Sequence, residues 1–187
     1  MKIKFVFVAA ACLMLVAAAF AQDKAPNFSG HWELDATKSK LDERARVQTM
    51  SLDVTQTAAD VKVATKTTRM PRPEGSAPGG QGGGGGMGRG GGFGGLDTTM
   101  TYTLDGKETS IQQDGPNGPT PVKLKGKIDA GKLQISSSRT FTTPNGDITT
   151  SKKETWSLSS DGTTLTIEQE QTNPRGTNTS TLVFVKK

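Results

Sequence analysis

The sequence predicts an all-β protein: an antiparallel up-and-down meander of about ten strands that closes into a barrel and carries a disordered glycine-rich insertion. Three observations predict it. Aromatic residues make up only 5% of the 187 positions while Thr, Ser and Gly are abundant, a composition suited to strands and turns around a lean core. Four segments, Leu104-Asp105-Gly106-Lys107, Asp129-Ala130-Gly131-Lys132, Pro144-Asn145-Gly146-Asp147 and Ser160-Asp161-Gly162-Thr163, read as two-residue hairpin turns in which glycine supplies the positive φ. The registers these turns impose set apolar residues opposite apolar residues, and a one-residue slip would send each such set outward.

Residues 1–21 stand apart from the fold. Lys2 and Lys4 precede an apolar run over 5–20, and Ala19-Phe20-Ala21 has the A-x-A spacing of a signal-peptidase site, so Gln22 is the expected mature N-terminus. A retained anchor is the alternative, and no membrane-spanning segment is expected after cleavage. Cys12, the only cysteine, lies inside the apolar run behind a poor lipobox, Ala9-Ala10-Ala11. The remaining 166 residues are cysteine-free, one domain's worth, compatible with an oxidising periplasmic or secreted location but using no disulfide. Losing Lys2 and Lys4 takes the net charge from +5 to +3, too mild to argue for nucleic acid or an anionic membrane.

The barrel domain is expected over 22–187. Its first strand is read at 28–35, followed at 36–46 by one short helix or an irregular link. A turn near Ala58-Ala59 pairs Val54 with Val63 and Leu52 with Thr65. Residues 71–95 form a flexible Pro/Gly-rich loop insertion, which cannot bury enough apolar surface to offset its ordering entropy. Around Asp105-Gly106, Met100 is expected opposite Ile111 and Tyr102 opposite Thr109, and a second loop occupies 114–121. Around Ala130-Gly131, Ile128 meets Leu133 and Gly126 meets Ile135. Around Asn145-Gly146, Ile135 is expected opposite Trp156 and Leu133 opposite Leu158. Around Asp161-Gly162, Leu158 meets Leu165 and Trp156 meets Ile167. The turn Asn173-Pro174-Arg175-Gly176 then brings Leu182 and Phe184 against Ile167 and Leu165 in a last strand at 178–186. Closure into a barrel removes the two exposed edges such a meander would otherwise have.

Residues 27–35, Asn-Phe-Ser-Gly-His-Trp-Glu-Leu-Asp, resemble the first strand of lipocalin-like and fatty-acid-binding-like proteins, whose Gly-x-Trp is matched by Gly30 and Trp32. The resemblance implies a calycin barrel with the Trp32 indole across its closed end. The chain is also similar to small exported bacterial lipocalin-like proteins that begin Phe-Ser-Gly-x-Trp after a signal peptide. It lacks the Thr-Asp-x-x-Tyr motif of typical lipocalins, an arginine in the final strand, and the room between the first two strands for the paired helical lid of fatty-acid-binding proteins.

Catalytic chemistry finds little support. His31, the only histidine, alternates with Trp32 and is expected outside, and metal sites need three or four convergent ligands. No Ser lies in a Gly-x-Ser-x-Gly elbow. Glu168 and Glu170 share the parity opposite to Ile167, which places them outward. Gly-x-Gly-x-x-Gly matches within the polyglycine carry no weight without a strand–loop–helix unit, and the segment around Arg89 and Phe93 is a loop rather than an RNA-binding one. No enzyme activity, metal or cofactor is therefore expected.

The candidate ligand-binding interior comprises Trp32, Met100, Tyr102, Ile135, Arg139, Glu154, Trp156 and Gln169, with Met50, Leu52, Val54, Ile167 and Phe184 beside them. Arg139 shares the parity of Ile135 and Phe141, and the expected register sets it opposite Lys152 and diagonal to Glu154. That arrangement reads either as an ion pair near the mouth or as a site for an anionic or amphiphilic ligand. Lys123, Lys125 and Lys127 form an outward basic stripe, a weak candidate for polyanion contact. The function expected is an exported, non-enzymatic barrel that binds or carries a small hydrophobic or amphiphilic molecule. The alternative is an envelope structural or interaction protein with a filled barrel, acting through its loops and basic face. A pocket of about 300 Å³ or more with Arg139 at its wall distinguishes the first from the second.

Overall fold

The computed structural model describes residues 25–41, 46–71, 97–113, 118–143 and 146–187. The expected signal segment, nearly all of the glycine-rich insertion, and the turn residues Pro144 and Asn145 lie outside the described residues.

Ten strands follow one another: β1 Gly30–Leu34, β2 Val47–Gln56, β3 Asp60–Arg69, β4 Asp97–Thr103, β5 Asp105–Gln113, β6 Thr120–Asp129, β7 Lys132–Thr143, β8 Gly146–Leu158, β9 Thr164–Asn173 and β10 Gly176–Lys186. They form one antiparallel sheet in the order β4-β3-β2-β1-β10-β9-β8-β7-β6-β5. Pairing of β1 with both β2 and β10 makes the sheet a nearly closed barrel, split between β4 and β5. Among the described residues there is no helix; the stretch after β1 is an irregular link in which Lys40 bridges to Thr181.

Most of the expected registers form. Val54 pairs with Val63, Gly126 with Ile135, Trp156 with Ile167, and Leu182 with Ile167. The β6–β7 turn has φ of 47° at Ala130 and 73° at Gly131, the two successive positive values that match a tight turn to the twist of its strands.

Two expectations are corrected. In the β7–β8 hairpin Leu133 faces Trp156 and Ile135 faces Glu154, because the ladder closes with Thr143 opposite Gly146, two residues from the expected register. A shift of two keeps every side chain on its face, so the apolar pattern that forbids a shift of one is blind to it. In the second correction, β4 and β5 do not form a hairpin. Gly106 does have a positive φ, 74°, but it lies where the β5–β6 register shifts between Asp105 and Glu108, so the glycine serves a bulge. The carboxylate of Asp105 also accepts a hydrogen bond from the Lys107 amide at 2.9 Å, tightening this corner. The end of β4 instead packs across β6. A Cβ built on Gly126 would lie 2.8 Å from the Thr103 carbonyl oxygen and 3.0 Å from Tyr102 Cβ. Ile111, on the inner parity of the edge strand β5, is left 37% exposed beside the split.

The interior grades from apolar to polar along the barrel axis. At the end where β1 starts, Phe28, Trp32, Val61, Leu133, Leu165 and Phe184 are fully buried. Phe28 precedes the first strand and turns underneath the barrel, its amide donating to Gln56 Oε1 at 2.9 Å and its ring meeting Trp156 edge-on at 6.2 Å. Trp32 Nε1 donates to the Phe28 carbonyl at 2.9 Å, so the indole is buried with its one polar group satisfied. Toward the opposite end the same inner parity carries Thr65, Thr67, Ser137, Thr150, Lys152, Gln169 and Gln171.

Candidate functional site

Above the aromatic plug lies an internal cavity of about 160 Å³. Its apolar side is built by Leu52, Val63, Met100, Ile135, Trp156, Ile167, Leu182 and Phe184, inward residues of strands on both sides of the β1–β10 junction. Its polar side comes from the strand ends nearer the mouth: Thr65, Thr67, Arg69, Thr98, Lys152, Glu154, Gln169 and Gln171. The period-two alternation of these strands is what brings the two sets together.

Glu154 anchors the polar side. It is buried, with Oε1 2.9 Å from Lys152 Nζ and Oε2 accepting from Trp156 Nε1 at 3.2 Å. Lys152, Glu154 and Trp156 are alternate residues of β8, so one strand face supplies the carboxylate, its cation and a neutral donor. Removing a charge from water costs several kcal/mol unless it is paired and hydrogen-bonded, and here both carboxylate oxygens are engaged. Tyr102, 2% exposed, sits across the cavity on β4. Burial foremost, and then the nearby Glu154 charge, push its phenol up, so it is a neutral donor. Its hydroxyl donates to Met100 Sδ at 3.3 Å.

Of the candidate interior residues, the structure brings Met100, Tyr102, Ile135, Glu154, Trp156 and Gln169 to one cavity. Trp32 is buried below it in the plug, its ring 5.2 Å from Lys186 Nζ. Arg139 does not line the cavity. It lies opposite Val122 and Thr150 rather than Lys152, and its guanidinium stacks on Phe141 at 4.8 Å. Burial lowers its pKa from the ordinary arginine value. The two-residue offset of the β7–β8 register sets Arg139 opposite Thr150, while Lys152 pairs with Glu154 along its own strand. Lys152, Arg69, Gln171 and the Thr65/Thr67 pair belong to the polar wall but were not among the candidates. Parity would have found Lys152 and Gln171, which share the inner face of Glu154 and Gln169 and pair with each other.

The outward residues are where alternation puts them. His31 Nδ1 lies 2.6 Å from Asp53 Oδ1 on the outer face, and Glu170 faces Lys153 at 3.4 Å. Among the described residues no three His, Cys, Asp or Glu side chains converge to hold a metal ion. Two lysines of the basic stripe face carboxylates, Lys123 with Glu108 at 3.0 Å and Lys127 with Asp129 at 2.8 Å.

A nearly closed ten-stranded antiparallel barrel with a small, two-sided internal cavity is thus the class of architecture this chain adopts. No family model matches the chain, and no curated protein matches it. Among solved structures it is similar to the zebrafish ileal bile acid-binding protein complexed with cholic acid, at 16% identity and a TM-score of 0.47, covering 86% of this chain and 98% of that one.

Proposed function

We propose that this protein is an exported, non-enzymatic barrel that binds or carries a small hydrophobic or amphiphilic molecule in its interior. The observation that carries the reading is the cavity itself, a space inside the barrel that opens toward the mouth, with one wall of aliphatic and aromatic side chains and another of hydrogen-bonding groups. Ligand sites combine such an apolar surface with a few placed polar groups. Export rests on the basic start, apolar run and A-x-A site of residues 1–21. At about 160 Å³ and without Arg139 at its wall, the cavity falls short of the ~300 Å³ pocket lined by Arg139 that was set above as the mark of a ligand-binding barrel; the reading rests instead on its two-sided lining and is confined to a compact ligand. Its polar wall includes Lys152 rather than Arg139, and that lysine is already committed to Glu154. The partial pairing of the outer lysines favours the interior over the basic face as the working surface.

Native mass spectrometry of protein purified from its own host tests the reading. A co-purifying small molecule at near one-to-one stoichiometry supports it. Bare protein that also fails to take up any member of a panel of small apolar molecules overturns it. Location is tested separately, by cell fractionation and N-terminal sequencing, with Gln22 expected as the first residue.

A further inference from the structure

The chemistry of the cavity wall takes the binding role proposed above one step further and rests on it: the wall carries a single primary amine, Lys152. Lys152 lies on β8, nearer the mouth than Glu154 and Trp156 of the same strand face. A lysine so close to an opening can carry its charged head out to water. Lys152 does the reverse. Its side chain is 19% exposed, and its Nζ turns inward to lie 2.9 Å from Glu154 Oε1. The lysines of the outer face differ sharply, the side chains of Lys107, Lys123 and Lys153 being 83%, 61% and 70% exposed. Arg69 is the other cation of the cavity wall, but a guanidinium stays protonated and is no nucleophile. Beside Lys152 the space of about 160 Å³ opens toward the mouth and is bounded on its apolar side by Ile135, Trp156 and Ile167. A protein cavity of about 150 Å³ takes up benzene, so a compact apolar body fits against those residues with its polar end at the amine.

The ion pair selects the chemistry that this amine supports. Glu154 is buried, and its charge is tolerated because Lys152 and the Trp156 N–H engage its two oxygens. A reaction that removes the positive charge from Lys152, such as acylation, strands a buried carboxylate and is strongly disfavoured. Condensation with an aldehyde does not, because a protonated imine keeps a positive N–H at the same nitrogen.

We infer that Lys152 is a covalent attachment point for an aldehyde with a compact apolar body, held as a protonated imine with Glu154 as its counter-ion. Glu154 Oε1 takes one proton from the ammonium, and the neutral amine attacks the carbonyl carbon. A second nitrogen proton passes to the carbonyl oxygen, giving a carbinolamine. Glu154 returns its proton to that hydroxyl, the C–O bond breaks, water leaves toward the mouth and the C=N bond forms. Nothing is oxidised or reduced, and the charges at Lys152 and Glu154 end as they began. Hydrolysis reverses the step, as release from a carrier requires.

Incubating the purified protein with micromolar benzaldehyde and sodium cyanoborohydride, followed by intact mass measurement and peptide mapping, tests the assignment. The expected result is one adduct per chain, a mass gain equal to benzaldehyde less one oxygen atom, mapped to Lys152 ahead of the more exposed Lys107, Lys123 and Lys153. Benzyl alcohol, the same body without the carbonyl, should compete. Lys152→Arg keeps a cation beside Glu154 and should lose the adduct; circular dichroism checks its folding, and mapping on the wild type decides independently of that variant. Before reduction, the C=N stretch should shift in deuterium oxide, the signature of a protonated imine, and Glu154→Gln should lose that shift. A wild-type band that does not shift overturns the counter-ion role. Adducts spread by exposure, with Lys152 modified no more than the outer lysines, overturn the attachment itself, as does an undiminished adduct in folded Lys152→Arg. Reversible uptake of benzyl alcohol or benzoate with no adduct at Lys152 also overturns it and leaves the carrier role standing. No uptake of benzaldehyde, benzyl alcohol or benzoate, together with protein that is bare on isolation, removes both.

Discussion

Replacing Gly126 by Ala is the sharpest probe of how the barrel manages its split. Gly126 is buried on the inner face of β6, and an added Cβ would lie 2.8 Å from the Thr103 carbonyl oxygen, 3.0 Å from Tyr102 Cβ and 3.6 Å from Ile135 Cγ2. The two closest atoms belong to the backbone and the root of a side chain, so no rotamer change relieves the contact and the end of β4 must move. Overpacking of this kind costs about 1–3 kcal/mol, and about 0.5–1 kcal/mol returns because alanine loses less entropy than glycine on being ordered in a strand. The net expectation is a loss of roughly 1–2 kcal/mol, or a fall in Tm of about 2–8 °C for a domain of this size. Urea titration followed by tryptophan fluorescence measures the free energy, and hydrogen exchange should show faster opening at β4 than at β8 or β9. A variant as stable as the wild type, or more stable, would show that strand propensity outweighs the close approach and that β4 is not held against β6.

The remaining perturbations act at separate places in the fold. Glu154→Ala strands Lys152 and the Trp156 N–H in the interior, and a loss of about 2–5 kcal/mol in chemical denaturation is expected, whereas the double variant Lys152→Met/Glu154→Leu should recover much of it. Full stability of the single variant would show that water already serves both donors. Ala130 has φ 47° in a hairpin turn, so Ala130→Asn should raise stability by about 0.5–1 kcal/mol in the same assay, and a loss would place the strain elsewhere. Asp161 is held down to about 2, first by the Ser159 hydroxyl at 2.5 Å and then by the Thr163 amide and hydroxyl. A folded-state pKa below the unfolded value makes the group's contribution complete above about pH 4 and lost as pH falls toward 2. The urea midpoints of wild type and Asp161→Asn should therefore converge over that interval, and a constant difference would mean that the turn is stabilised by something other than the charge.

Which parts of this architecture were legible in the sequence follows from the symmetry of a strand. Alternation specifies faces, so the inward positions of Leu52, Val54, Met100, Tyr102, Trp156 and Ile167 could be read directly, as could the outward positions of His31, Glu168 and Glu170. Alternation does not distinguish a register from one displaced by two. The β7–β8 ladder is displaced by two, and the expected place of Arg139 opposite Lys152 and diagonal to Glu154 rested on that ladder. The neighbouring β8–β9 ladder forms at the expected register, Trp156 opposite Ile167, and that register also sets Glu154 opposite Gln169. Turn signals have a similar ambiguity. Asp105-Gly106 reports a positive φ, and a positive φ serves a bulge as well as a hairpin; only the packing of Thr103 on Gly126 decides which.

The floor beneath the cavity includes a residue from outside the strands. Phe28 precedes β1 and belongs to no ladder; read as the start of a strand at 28–35 it shares the parity of Gly30 and Trp32 and is expected inside, where it is buried, but no ladder fixes how it seats there. Its position depends on the side chain of Gln56, which binds the Phe28 amide through Oε1 and the Pro26 carbonyl through Nε2, both at 2.9 Å. Those two bonds draw the entering chain under the barrel and press the phenyl ring against Trp156. Trp156 is thereby shared between the plug and the cavity: one edge is fixed by Phe28, its N–H is tied to Glu154, and its remaining surface faces the empty space. The floor and the polar wall of this cavity are therefore built by a segment that contributes no strand and by the one strand face carrying Lys152, Glu154 and Trp156.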